Sequence, residues 1–286
     1  MKKFVFLTAV LCLGMFAVAP VEMQAQKKAR TAKTTTARKS AASSKKPAAS
    51  AKSVSTPAKP ARESYIKLLP GADLTSENIF TQGHPEYFGF VDGGLDGGLL
   101  LFADFFLSSD YGSSFMVGSG WDKATWSLSD NKISIGDKFS LTSPDKGQVL
   151  TGTYTNGKGV KSNMIAYNFG DEEVVPSAQR KILKSLAEKK ILGAYIVMSA
   201  RGMKLAFPVD FEMNDDLTWE VTSDNETMGV FGELKGKFRV GENGTDVYVN
   251  GNGSSGTIHL KSLVCGLGEY NVPGFGRVDS DLYVFF

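Results

Sequence analysis

Thr125-Trp126-Ser127-Leu128-Ser129-Asp130-Asn131-Lys132-Ile133-Ser134-Ile135 alternates apolar and polar side chains on either side of a Ser-Asp-Asn turn. Successive side chains of a strand point to opposite faces, so a period of two marks a strand with one buried face. Asp and Asn tolerate the left-handed backbone of a tight hairpin, so this stretch predicts two antiparallel strands joined at residues 129–131.

The same period recurs at Lys237-Phe238-Arg239-Val240, Asp246-Val247-Tyr248-Val249, Thr257-Ile258-His259-Leu260 and Asp281-Leu282-Tyr283-Val284. Polar, glycine-rich turns separate these runs at roughly the 8–12-residue spacing of β sandwiches and barrels. Glu242-Asn243-Gly244 supplies another such turn before Asp246. One segment departs from the pattern. In Ser177–Leu192 the residues Ile182, Leu183, Leu186 and Ala187 recur at helical spacing, between Pro176 and Gly193. Asp171, Glu172 and Glu173 ahead of it, with Lys189 and Lys190 near its end, suit the helix dipole. The reading is a mainly β chain with two antiparallel lobes, barrel or sandwich, separated by one helix near 177–192. Lobe 1 is placed at 63–175; the helix and lobe 2 occupy 176–286.

The lobes resemble each other. Ala103-Asp104-Phe105-Phe106-Leu107-Ser108-Ser109-Asp110 echoes Val209-Asp210-Phe211-Glu212-Met213-Asn214-Asp215-Asp216 at an offset of 106 residues. An aromatic strand follows each, Phe115-Met116-Val117 and Trp219-Glu220-Val221, so a duplicated β module is one explanation and chance likeness the other.

The second lobe carries a further likeness. Gly193-Ala194-Tyr195 after a short helix, Thr245-Asp246-Val247-Tyr248 and the late Arg277 together resemble the lipocalin-like (calycin-type) barrels. Those open their first strand with Gly-x-Trp and carry a second motif Thr-Asp-Tyr; here Tyr stands for Trp, and the second motif has one inserted residue. Over 177–286 the resemblance implies an eight-stranded barrel with a small apolar cavity, in which Arg277 packs over Tyr195. Tyr195 and Arg277, with Trp219 as an aromatic that could stack on a sugar, are the candidate ligand-binding residues.

Ahead of the lobes lies a different kind of sequence. Lys2 and Lys3, the apolar run Phe4–Val18 and small residues leading to Ala25 form a secretory signal over 1–25. Residues 26–62 read as a disordered basic linker: 27–62 hold eleven Lys/Arg and no acid, with Val54 as the one large apolar side chain. The chain has 32 basic and 30 acidic residues in all. With Lys2, Lys3 and Glu22 in the signal and eleven basic residues in the linker, residues 63–286 retain 19 basic and 29 acidic residues, a net of −10. An exported +11 arm suits an anionic envelope polymer or a membrane surface, and no nucleic acid is expected. Loss of Cys12 with the signal leaves Cys265 without an intramolecular disulfide partner, and its apolar neighbours make it a buried thiol.

Catalytic patterns are thin. His84 lies in a turn and His259 on a strand, both read as surface imidazoles, and no G-x-S-x-G elbow accompanies them. Two histidines and one cysteine so dispersed fall short of a zinc site. The loop Asp92-Gly93-Gly94-Leu95-Asp96-Gly97-Gly98 spaces its acids as neither an EF-hand nor a calcium repeat, and reads as tight turns. No metal or cofactor is expected. Trp121, Trp126 and Trp219 are core candidates first and sugar platforms second. The functional expectation is a non-enzymatic cell-envelope protein, periplasmic, outer-membrane-associated or extracellular, that binds a ligand or envelope partner; a small apolar ligand and a glycan both suit it. The alternatives are a glycan- or wall-acting hydrolase, which clustered carboxylates of raised pKa would favour, and an outer-membrane barrel, to which the terminal Leu282-Tyr283-Val284-Phe285-Phe286 is similar.

Overall fold

Asp130 and Asn131 take φ of 52° and 61°, and the hairpin that they turn pairs Ser129 with Lys132 and Trp126 with Ile135. The computed structural model describes residues 64–286 except 81–84, 96–97, 170–172, 225 and 242–243. The signal and linker readings, His84, Asp96, Asp171, Glu172 and the Glu242-Asn243 turn lie outside the described residues.

The chain is mainly β, as the periodicity predicts, and its antiparallel strands close into rings. The first ring is β1 (Glu86–Val91), β2 (Leu100–Leu107), β3 (Gly112–Val117), β4 (Ser119–Ser129), β5 (Lys132–Ile135), β6 (Phe139–Thr142), β7 (Val149–Thr155) and β8 (Lys161–Asn168). Each strand pairs with the next, and β1 pairs with β8 from Tyr87↔Asn168 to Val91↔Met164, which completes an eight-stranded barrel. The second ring is β9 (Gly193–Ala200), β10 (Met203–Pro208), β11 (Asp210–Met213), β12 (Thr218–Thr222), β13 (Leu234–Gly241), β14 (Gly244–Val249), β15 (Asn252–Ile258), β16 (Ser262–Val272) and β17 (Gly276–Phe285). Only Val209 separates β10 from β11, so they act as one bent strand: β10 pairs with β9 and β11 with β12. β17 returns to β9 from Phe285↔Gly193 to Asp279↔Ser199. Closure matters energetically because it removes the unpaired strand edges of an open sheet.

Each barrel is preceded by a helix that closes one end. α1 (Ser76–Phe80) brings Ile79 and Phe80 onto the first core, where Phe80 lies 5.6 Å from Trp126. α2 (Pro176–Ala187) buries Leu183 and Leu186 on the second, and its Gln179 accepts a 2.7 Å hydrogen bond from Thr245 Oγ1. α2 ends five residues before the expected Leu192. Leu192 instead donates its N–H to Phe285 O, which draws the chain into the β9 ladder.

The period-two faces sort into three cores. Phe105, Phe115, Trp126, Ile133, Ile135 and Phe139 fill the first barrel. Phe207, Phe211, Trp219, Phe238, Val247 and Leu282 fill the second, with Trp219 and Phe238 stacked 5.7 Å apart. Between the barrels lies a third core, made of outward residues: Phe88, Phe90, Phe102 and Tyr167 from the first, Tyr195, Val197, Tyr283 and Phe285 from the second. β1 and the C-terminal part of β17, Leu282–Phe285, are thus buried on both faces. The two sheets also join directly, through Leu100↔Ala206 and Leu101↔Leu205.

The repeat read at an offset of 106 has the same role in both barrels. Ser108 N–H donates to Gly112 O and Tyr111 N–H to Ser108 O; Asn214 N–H donates to Thr218 O and Leu217 N–H to Asn214 O. Tyr111 and Leu217 take matching positive φ of 65° and 66°. Both turns join the second strand to the third.

Candidate functional site

The three candidate ligand-binding residues do not converge. Tyr195 faces away from the second barrel's interior, stacked on Phe90 and sharing a 3.0 Å hydrogen bond with Tyr167 through their hydroxyls. Burial pushes both phenols up, Tyr167 to about 12. Trp219 lies inside the barrel, 2 % exposed, and its Nε1 has no hydrogen-bond partner among the described residues. Arg277 stands on the outer surface with a side chain 75 % exposed, ion-paired to Glu269. It is engaged at the Asn271↔Arg277 pair, whereas Tyr195 pairs with Tyr283 on that strand.

What the fold does build is a cleft of about 340 Å³ in the second barrel. α2 closes the end where β14 begins and β15 finishes, through Thr245 and through the Val174 N–H bonded to Ile258 O. The cleft lies toward the opposite end, among the β14–β15 turn, β16 and the 3₁₀ turn Glu226–Val230 with the Phe231 that follows it. It is the barrel's second mouth. Phe231 and Tyr270 meet there with ring centroids 4.6 Å apart, beside Val249 and Leu267. Asn250, Asn252, Ser254 and Glu269 provide polar groups. Asn250 Nδ2 donates to Glu233 O at 2.8 Å, which fixes that amide. Half-burial raises the Tyr270 phenol above its usual range.

Sequence reasoning missed this mouth. The available signal was a run of glycines inside strands, Gly253 and Gly256 facing Gly266 and Gly268, which marks bulges and close backbone approach. Gly268 takes φ of 98°, and the β16 ladder shifts register between Gly266 and Gly268.

A second group of ionisable side chains lies at the rim of the inter-barrel core. Asp104 is pushed up to about 7 by burial, then by the Glu86 carboxylate, with the Lys204 ammonium opposing. Its Oδ1 is buried without a partner among the described residues. Burial also raises Glu86 and Asp281. Phe106 and Trp121 lie on the same outer face of β1–β4, 6.0 Å apart and exposed.

Other residues read from sequence have structural places. Asp92 accepts hydrogen bonds from Ser64 Oγ, Tyr65 N–H and Gly94 N–H, which ties the entering chain to the β1–β2 loop. Cys265 is fully buried, and burial drives its thiol far above the ordinary value. His259 is half-buried rather than a surface imidazole, its ring 4.1 Å from Phe169. Trp126 and Trp219 are core, while Trp121 is 55 % exposed. No protein-family model matches the chain, and no curated protein matches it.

Proposed function

We propose that the chain is an exported, non-enzymatic cell-envelope protein whose second barrel, lipocalin-like in kind, binds a ligand or envelope partner at its open mouth. The cleft between β15 and β16 carries this reading: it is concave, floored by Phe231, Val249 and Leu267, and ringed by a few polar groups. That is the composition of a binding site rather than of a surface dimple. The basic segment 27–62 would hold the acidic body near an anionic surface. Both barrels point apolar residues inward or toward each other, the inverse of the lipid-facing band of a spanning barrel, and this supports a water-facing exterior.

Native mass spectrometry of the protein purified from its own host tests the reading. A retained mass is expected, and Ser254→Trp, which fills the cleft, should release it. A retained mass indifferent to Ser254→Trp, or none, would overturn it.

One observation favours a second reading, a glycan-acting hydrolase. Asp104, proton-bearing near neutrality beside Glu86, has the character of a general acid, and the exposed Phe106–Trp121 pair offers a sugar platform. Release of reducing ends from peptidoglycan, abolished by Asp104→Asn, would establish it; equal release by both proteins would dismiss it.

A further inference from the structure

Among the described residues, two polar groups inside the second barrel lack a hydrogen-bond partner: Trp219 Nε1 and Ser280 Oγ. Both residues are 2 % exposed. Both point inward, Trp219 as part of the second core, Ser280 alternating on β17 with Val278 and Leu282 of that core. A buried donor left unpaired costs free energy, which an accepting oxygen removes.

Ladder rows connect both groups to the cleft. Ser280 pairs with Gly268, a lining residue without a side chain to screen the hydroxyl. Trp219 pairs with Gly236, and Gly236 with Val249, which also lines the cleft. A Cβ on Gly236 would come 2.9 Å from Trp219 Cζ2, so the indole lies across that glycine. Cζ2 adjoins the ring carbon that bears Nε1, which puts the N–H side of the ring over β13. The first barrel offers a contrast: Trp126 Nε1 already donates to Ser108 O at 2.8 Å.

The chemistry of the pair limits what it can hold. An indole N–H only donates, so its partner must accept, and a carbonyl oxygen has two lone pairs for the purpose. A charged acceptor is disfavoured. No Lys, Arg or His is buried among the described residues, and the Asp281 carboxylate already acts on the Cys265 thiol inside this barrel.

We propose that the cleft takes an uncharged apolar molecule with a carbonyl group, a small ketone, ester or lactone, held through Trp219 Nε1 and Ser280 Oγ. The assignment rests on the reading of this mouth as a binding site and names the class of its ligand. Phe231, Val249, Leu267 and Tyr270 would cover the apolar part. The volume of about 340 Å³ lies at the low end for small-molecule sites and suits a compact ligand.

The test titrates the full chain with acetophenone, with α-methylstyrene, in which CH₂ replaces the carbonyl oxygen, and with benzoate. Indole N–H resonances report the binding. Acetophenone is expected to bind about tenfold more tightly than α-methylstyrene and to move the Trp219 resonance while Trp126 stays in place. Ser280→Ala and Trp219→Phe should each cut that preference about threefold. A preference unchanged in both variants, or benzoate binding more tightly than acetophenone, would overturn the assignment. Equal binding of the two neutral probes, blocked by Ser254→Trp, would retain the mouth and reject the carbonyl, with buried water as the partner of the two groups. Binding of neither probe would reject both.

Discussion

Phe90 and Tyr195 stack with ring centroids 3.5 Å apart and planes 9° from parallel, and each occupies the same place in its own barrel. Both lie on a first strand, directed outward, opposite Phe102 and Pro208 on the respective second strands. Tyr167 and Phe285, on the two closing strands, repeat the relationship at 4.6 Å and 12°. Leu100 and Ala206, on the two second strands, pair directly. The barrels therefore meet about a local two-fold relation, like the halves of an isologous dimer joined in one chain.

That junction should carry a large share of the stability. Phe90→Ala and Tyr195→Ala are each expected to cost about 3–5 kcal/mol. Because the rings contact each other, the double variant should cost less than the two together. Urea unfolding of the three variants measures both effects.

The hydroxyl pair inside the same core gives a sharper signature. Tyr195→Phe leaves the buried Tyr167 hydroxyl without its 3.0 Å partner and should cost about 1–3 kcal/mol. Replacing both tyrosines by Phe should recover much of that loss. A double variant that loses the sum of the two single losses would show that the hydroxyls act independently.

Asp104 predicts the pH dependence. Its folded carboxyl sits at about 7 against an ordinary 3.8, so between these values the folded chain holds the proton and the unfolded chain does not. Stability must therefore fall as pH rises from about 4 to about 7, then level off. Glu86 and Asp281, raised by burial, act in the same sense. Asp104→Asn should flatten the slope and stabilise the protein at pH 8 by on the order of 1–3 kcal/mol. Chemical denaturation across the pH range tests this.

Cys265 should be silent in the native state. It is fully buried in the second barrel, and its thiol is held far above its usual value, so little thiolate forms. An aromatic disulfide reagent should label it only as fast as the barrel unfolds, with the rate rising in denaturant. Prompt labelling in buffer would contradict its placement.

Much of this was legible in the residues alone. The alternation at 125–135, with its Asp-Asn turn, determined a hairpin because the cause is local: period-two side chains and a backbone that tolerates positive φ. The helical spacing read over 177–192, which overran the helix end at Ala187, the buried thiol and the echo at offset 106 were readable for the same reason. The short likeness around Tyr195 and Arg277 misplaced its aromatic, since a motif does not state which face of a strand points inward when both faces are apolar. Tyr87-Phe88-Gly89-Phe90-Val91 carried that ambiguity openly, as a run apolar on both sides.

Tertiary structure alone decided the rest. Closure depends on β1 meeting β8 and β9 meeting β17, pairings between residues far apart in the chain that no local pattern encodes. The assignment of Phe90 and Tyr195 to a face between barrels followed from that closure, because only a finished ring has an inside and an outside. The mouth between β15 and β16 exists for a similar reason. Its glycines were visible as residues, but that the ladder stops at Gly256 and Cys265 is a property of how two completed strands diverge in space.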